Sequence, residues 1–256
     1  MSMKSTCAVL LAAGRGKRLR PYTDRLPKPL LSVSGRTILD AVLQAVTRAD
    51  IQRVCLVTHY LGEQVRLYAG DGAAWGLQVV YCHQAELRGS GDALQAVQNN
   101  LPDWIDYSAP LLVSATDYLL PENALLDLVN AHEKEGCDIT LSLREYPPEQ
   151  VSARSSVVLD PGWRVKQIIE KPAPGAAPSQ YTAALLYILP PAIWEMLPRL
   201  EPSLRGELEL PEAVNMLIET GFSAYGFLQP APPEWAPEME EILVTSEADT
   251  KVPGKA

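Results

Sequence analysis

Residues 7–13, CAVLLAA, are apolar without a break, and the run stops abruptly at glycine and arginine. A short apolar run of this kind reads as a strand covered on both faces. At TILDAVLQAVTRA (37–49) the rhythm changes to apolar residues three and four apart, which predicts a helix. The alternation then repeats. RVCLVTH (53–59) predicts a strand, GEQVRLYAG (62–70) a short helix and LQVVYCH (77–83) a strand. GDALQAVQNNL (91–101) predicts a helix, PLLVSATD (110–117) a strand, and NALLDLVNAHEKEG (123–136) a helix ending at Gly136. Strands alternating with helices of this length imply parallel strands joined by helical crossovers.

The second half has another rhythm. CDITLSLREY (137–146), SSVVLD (155–160), RVKQIIEK (164–171) and YTAALLYIL (181–189) follow one another with short breaks. They predict a mixed or antiparallel extension of the sheet. A helix over 207–221 and a last strand over 222–228 close the pattern. QPAPPEWAPEMEE reads as irregular, and residues 251–256 as a disordered tail. The expected fold is α/β: a single Rossmann-like domain over residues 1–250, with a mixed, mostly parallel central sheet flanked by helices and an inserted β-rich region.

The net charge of −9 argues against a nucleic-acid binder or a binder of anionic membranes. No run is long enough for a transmembrane helix, and the apolar run near the start is too short for a signal peptide. Cys7, Cys55, Cys82 and Cys137 form no CxxC pair and read as buried, reduced thiols of a cytoplasmic protein. His59, His83 and His132 have no metal-ligand spacing.

Against this acidic background the first strand empties into a basic loop. Arg15, Lys17, Arg18, Arg20 and Arg25 crowd together, and Lys28 stands between Pro27 and Pro29. After Leu11, the small residues Ala12, Ala13 and Gly14 let a ligand approach the backbone closely. Gly14 and Gly16 permit backbone angles that aim N–H groups at an anion, and Arg15 and Arg18 add charge for phosphate oxygens. The loop is not a P-loop, because GxxxxGK[ST] spacing is missing. It is not a GxGxxG fingerprint either, because position 19 is leucine and Pro21 blocks an immediate helix. That failure sets a dehydrogenase aside.

LAAGRGKRLRPYTDRLPKPLL (11–31) resembles the nucleotide-binding signature of the sugar-1-phosphate nucleotidylyltransferases, and further motifs of that family recur in order. QAELRGSGDAL (84–94), VSATDYL (113–119), IIEKP (168–172) and GELELPEAV (206–214) carry the resemblance over residues 7 to about 228. It implies transfer of an NMP group from an NTP to a sugar-1-phosphate or similar acceptor, with release of pyrophosphate. A phosphate oxygen attacks in line, so catalysis is positioning and charge neutralisation. On this resemblance Arg18, Lys28, Asp117 and Lys171 are the catalytic set. Residues 11–16, Gln84, Gly89 and Ser90 bind nucleotide, with Gln84 and Gly89 at the base. A carboxamide suits uracil or thymine, so UTP or dTTP is favoured and GTP or CTP left open. Residues to about 136 form the nucleotide-binding half, and about 137–230 the acceptor-binding half. Ser156, Glu170, Lys171, Ala184 and Glu207 contact the acceptor. Asp117 binds Mg²⁺.

Three departures stand out. The family's Tyr-Gly is Ser155-Ser156 here, and its Asn-Ala-Gly-like stretch is TAAL (182–185). Both add volume, which fits an acceptor smaller than, or shaped differently from, a common hexose. The family's second metal carboxylate aligns with isoleucine in EEILVTSEAD, leaving Glu241 as the candidate second ligand. A catalytically weak, nucleotide-binding relative with a regulatory or scaffold role is the alternative reading. A homo-oligomer is compatible with either.

Overall fold

The computed structural model describes residues 6–33, 35–117 and 120–229. The first half alternates as its apolar rhythm requires. Strands β1 (Cys7–Ala12), β4 (Arg53–Thr58), β5 (Gln78–His83) and β6 (Leu111–Ala115) alternate with helices α1 (Ile38–Arg48), α2 (Gly62–Ala69), α3 (Ser90–Asn100) and α4 (Ala124–Glu135). A small hairpin, β2 (Ser32–Val33) with β3 (Arg36–Thr37), precedes α1. Thr37 caps α1 by accepting from the Asp40 N–H at 3.0 Å. Gly136, at φ +59°, ends α4 where the sequence predicts.

The second half supplies β7 (Ile139–Glu145), α5 (Pro148–Val151), β8 (Ser155–Leu159), β9 (Val165–Glu170), β10 (Tyr181–Leu189), α6 (Ile193–Met196), α7 (Leu210–Glu219) and β11 (Ala224–Leu228). Seven strands form one sheet in the order β11-β7-β10-β6-β1-β4-β5. Within it only β10 runs antiparallel to its neighbours, so the sheet is mixed and mostly parallel, as expected.

Two expectations are corrected. β8 and β9 do not extend the central sheet; they pair with each other as a separate hairpin. Asn215 of α7 covers one edge of that hairpin. Its Oδ1 accepts from the Ile168 N–H at 2.8 Å and its Nδ2 donates to the Ile168 carbonyl at 2.9 Å, replacing a strand neighbour. The last helix starts at Leu210, not 207, because the Leu208 backbone is already committed to residues 88 and 91.

Alternation along β1 explains the two cores. Ala8, Leu10 and Ala12 face Leu39, Leu43 and Leu125, whereas Cys7 and Val9 share the other face with Leu94, Leu141 and Val214. With helices over both faces, a ligand of any size is excluded from the sheet faces and left the ends of the strands. All four cysteines are free and buried, and no described helix is long and apolar enough to cross a membrane.

Candidate active site

β1 lies between β6 and β4, so the connections leaving it and leaving β6 diverge and open a crevice at their carboxyl ends. A cavity of about 300 Å³ lies there. Leu11, Ala12, Ala13 and Gly14 form one wall, and Lys28 and Asp117 another. Gln84, Gly89, Ser90 and Glu207 contribute to the other walls. Each of these is a residue the sequence motifs single out. Thr116 is a wall residue that they miss. Its hydroxyl donates to the Leu11 carbonyl at 2.8 Å, tying the end of β6 to the end of β1.

The basic loop is three single 3₁₀ turns, 17–19, 22–24 and 28–30. Gly16 sits at φ +59°, and a Cβ there would lie 2.8 Å from Thr23 Cγ2. The Thr23 hydroxyl donates to the Gly16 carbonyl at 2.8 Å and folds the loop back on itself. Gly14 is different from what the sequence suggests. It uses no left-handed angle, and no atom lies within 4 Å of the Cβ it lacks. Its role is bare backbone on the cavity wall. The segment after β4 braces the loop: Tyr60 Oη donates to the Asp24 carbonyl at 3.1 Å and Gln64 Nε2 to the Arg25 carbonyl at 3.0 Å. Arg15 lies over the Tyr60 ring, and Arg20 pairs with Asp24 at 3.1 Å. Arg15, Gly16 and Arg18 belong to this loop beside the cavity, not to its walls. Lys28 reaches inward, and its Nζ donates to Asp117 Oδ2 at 3.1 Å.

Gln84 follows β5 and is 2% exposed. Its backbone is fully engaged. The N–H donates to the Thr58 carbonyl at 2.9 Å, and His59 Nδ1 lies 2.7 Å from the Gln84 carbonyl oxygen. Its side-chain Nε2 donates to the Gly89 carbonyl at 3.1 Å and to Asp92 Oδ2 at 2.8 Å. Gly89, at φ +109°, and Gly91 lie against the 207–209 backbone. A Cβ would meet the Leu208 carbonyl oxygen at 2.4 Å from Gly89 and at 2.9 Å from Gly91. The Leu208 N–H donates to the Arg88 carbonyl and its carbonyl accepts from Gly91 N–H, at 2.6 and 2.8 Å. That seam brings Glu207 to the cavity.

The remaining acceptor-side residues do not line this cavity. Glu170 borders a second space of about 550 Å³, with Ser203, Arg205, Glu209 and Asn215. Burial first, then the Glu209 carboxylate, pushes the Glu170 carboxyl up to about 7, against the opposing pull of Lys171 and Arg205. Burial also raises Glu209. Arg205 lies 3.6 Å from Glu207 and 2.5 Å from Glu209, and is the cation of this cluster that the motifs do not flag. Lys171 is exposed, with its backbone at φ +45°. Ala184 lies in the irregular stretch of β10 between Ala183 and Tyr187. Ser156 corrects an expectation. It is fully buried, and its hydroxyl donates to the Ser179 carbonyl at 2.9 Å and accepts from the Ser179 N–H at 3.1 Å. Its side chain braces a loop and borders neither space. Glu241 lies outside the described residues.

Asp117 and Glu207 are the carboxylates on the cavity wall, and Asp117, beside Lys28 at the end of β6, is the one the sequence motifs assign to a metal. Its side chain is half exposed, and no cluster of three ligating side chains occurs among the described residues. A hard oxygen donor on the wall of this cavity, without a cluster of further ligands, fits a cation carried largely by its substrate.

These features together match a known family. The nucleotidyl transferase family model covers residues 7–235, and the chain belongs to that family. Within it the chain is a nucleotidyltransferase of the sugar-1-phosphate kind. It is 30% identical to the UTP–glucose-1-phosphate uridylyltransferase AglF of Haloferax volcanii over 84% of each chain. It is 29% identical to the low-salt glycan biosynthesis nucleotidyltransferase Agl11 of the same organism, over 84% of this chain and 58% of that protein. A glucose-1-phosphate thymidylyltransferase of Streptomyces antibioticus is 30% identical over 84% of this chain and 58% of its own length. The fold matches that of a UDP-glucose pyrophosphorylase solved with UDP-glucose, at TM-score 0.74 and 21% identity over 87% of this chain and 90% of that one.

Proposed function

We propose that this chain transfers a uridylyl or thymidylyl group from UTP or dTTP to a sugar-1-phosphate or a similar phosphorylated acceptor, releasing pyrophosphate. The observation that carries this is the convergence of Gly14, Lys28, Gln84 and Asp117 on one cavity at the strand switch point. Gln84 spends its amide N–H groups on Gly89 and Asp92. Its carboxamide oxygen is left for a ligand. Uracil and thymine present a ring N–H to such an oxygen; guanine does too, but the named relatives handle UTP and a thymidylyl group.

The acceptor phosphate is already ionised, so no general base and no covalent intermediate are needed. Lys28 neutralises charge at the α-phosphate, and Arg18 with the backbone at 14–16 holds the departing β- and γ-phosphates. Lys171 takes the acceptor phosphate, while Glu170 and Glu207 take acceptor hydroxyls. Enzymes of this family work with a divalent metal; here Asp117 would hold Mg²⁺, which spreads the negative charge of the phosphate oxygens. Residues to about 136 form the nucleotide half and 137–230 the acceptor half. The four reduced thiols suit the cytoplasm.

The test is pyrophosphate release with Mg²⁺ across UTP, dTTP, GTP and CTP and a panel of sugar-1-phosphates and smaller phosphate esters. The reading expects turnover with UTP or dTTP. Turnover confined to GTP or CTP would overturn the base assignment, and none with any pair would overturn the reaction.

A further inference from the structure

Asp92 touches no part of the cavity that a triphosphate would fill, yet it is a buried carboxylate, 7% exposed, in the first turn of α3. Its two oxygens have separate partners. Oδ2 accepts from Gln84 Nε2 at 2.8 Å, and Oδ1 accepts from Arg88 Nη2 at 2.8 Å and Nε at 3.1 Å. Both groups that receive the Gln84 amide, the Asp92 carboxylate and the Gly89 carbonyl, can only accept hydrogen bonds. A carboxamide turned the other way would set its oxygen against two oxygens. The orientation of Gln84 is therefore decided by chemistry.

We propose that Asp92, held by Arg88, is the positioning residue that sets base selectivity. It turns the Gln84 carboxamide so that only oxygen faces the ligand, which admits a base with a ring N–H at that edge and disfavours cytosine and adenine. This rests on the reading that the cavity takes the nucleobase of an NTP. The bonding explains why a charged residue is buried there. An aspartate can accept at both oxygens at once; an asparagine cannot. In Asp92→Asn, with Arg88 present, the new carboxamide would turn its oxygen toward the guanidinium and its amine toward Gln84. Gln84 would then be drawn toward the reverse orientation, opposed only by the Gly89 carbonyl, and in that orientation offers N–H groups to the base.

The experiment compares kcat/KM for UTP and CTP, with calorimetric binding of each nucleotide, in the wild type, Asp92→Asn, Asp92→Ala and the double variant Asp92→Asn/Arg88→Ala. Asp92→Asn should move the UTP-to-CTP ratio toward CTP by about tenfold or more, the scale of one hydrogen bond reversed in polarity. Asp92→Ala leaves the Gly89 carbonyl as the one acceptor that still orients the amide, and should weaken the preference for UTP without reversing it. In the double variant the introduced carboxamide can again turn its oxygen to Gln84, and the wild-type preference should return in part. A purely structural Asp92 predicts equal losses for both nucleotides and no return, and that result overturns the proposal. If Asp92→Asn does not fold, an unchanged ratio in Asp92→Ala overturns it equally. Wild-type protein that binds neither nucleotide removes the underlying reading as well, whereas UTP binding with an unmoved ratio in the variants removes this inference alone.

Discussion

Lys28 Nζ lies 3.1 Å from Asp117 Oδ2, across 89 residues of sequence. The pair joins the proline-fixed turn after β1 to the end of β6, at the edge of the sheet where a polyanion can enter. Their side chains are 21% and 53% exposed, and a pair so open to water is worth at most about 1 kcal/mol to the fold. On the proposed reading its value is to hold the ammonium and the carboxylate ready for phosphate and metal. Asp117→Asn keeps shape and removes charge. Turnover should fall by about 10²-fold or more, with the unfolding temperature little changed. Steady-state rates and a thermal melt on the same preparation check this; near wild-type turnover would remove Asp117 from the chemistry.

Gly14 and Gly16 are two residues apart and should respond differently to alanine. At Gly14 nothing lies within 4 Å of the new Cβ, so the fold should not feel it. The methyl group would instead stand on the cavity wall, where the proposed function places the NTP, and should raise KM for the nucleotide. At Gly16 the left-handed backbone costs an alanine about 1–2 kcal/mol before its Cβ collides with Thr23. Gly16→Ala should therefore lower the melting temperature as well as activity. An unchanged melt for Gly16→Ala would contradict the loop geometry.

The parts of this molecule legible in the sequence are those with one dominant cause. The unbroken apolar run of β1 is short and stops at a glycine, which favours a buried strand over a buried helix. The motifs around Lys28, Gln84 and Asp117 mark three walls of one cavity. The sequence pattern misplaces the β8–β9 hairpin because short strands look alike whether they join a sheet or pair alone; what decides is Asn215 capping the hairpin edge from α7, a long-range contact. It also starts α7 three residues early, because helical spacing continues through Leu208, whose backbone is claimed by Arg88 and Gly91. Asp92 and Thr116 escape sequence reading for a similar reason. An aspartate in a first helical turn and a threonine after a strand have ordinary local explanations, and their functional partners lie elsewhere in space.

Glu170 gives the protein a pH signature. Its carboxyl is pushed up to about 7 by burial and by Glu209. A raised folded-state value means that the folded protein holds a proton which the unfolded chain has released above the ordinary carboxylate range. That contribution is complete at low pH and is lost as pH rises through about 7. Thermal stability should decline between roughly pH 5 and 8 by this route, and Glu170→Gln should flatten the decline. Melts of both proteins across that range decide it; parallel curves would mean that Glu170 titrates normally.

Arg18 and Lys171 belong to different substrates in the proposed division. Arg18→Ala should weaken NTP binding measured by calorimetry with Mg²⁺. Lys171→Ala should leave NTP binding nearly intact and raise KM for the acceptor. An equal loss of NTP affinity in both variants would show that the two cations serve the same ligand.

Ser156 separates a structural role from a role in the acceptor pocket. Read from sequence, its hydroxymethyl group narrows that pocket; in the fold it reaches Ser179, donating to its carbonyl at 2.9 Å and accepting from its N–H at 3.1 Å. Ser179 passes the connection on, its own hydroxyl donating to the Val157 carbonyl at 2.7 Å. The hairpin is thereby tied to the chain entering β10. Ser156→Gly removes both bonds at a fully buried position, and leaving such partners unsatisfied costs about 1–3 kcal/mol. The variant should melt at lower temperature while KM values for small and hexose-sized acceptors stay in the wild-type ratio, because the side chain borders neither space. A shift of that ratio toward larger acceptors at unchanged stability would place the serine against the acceptor and return it to the binding site.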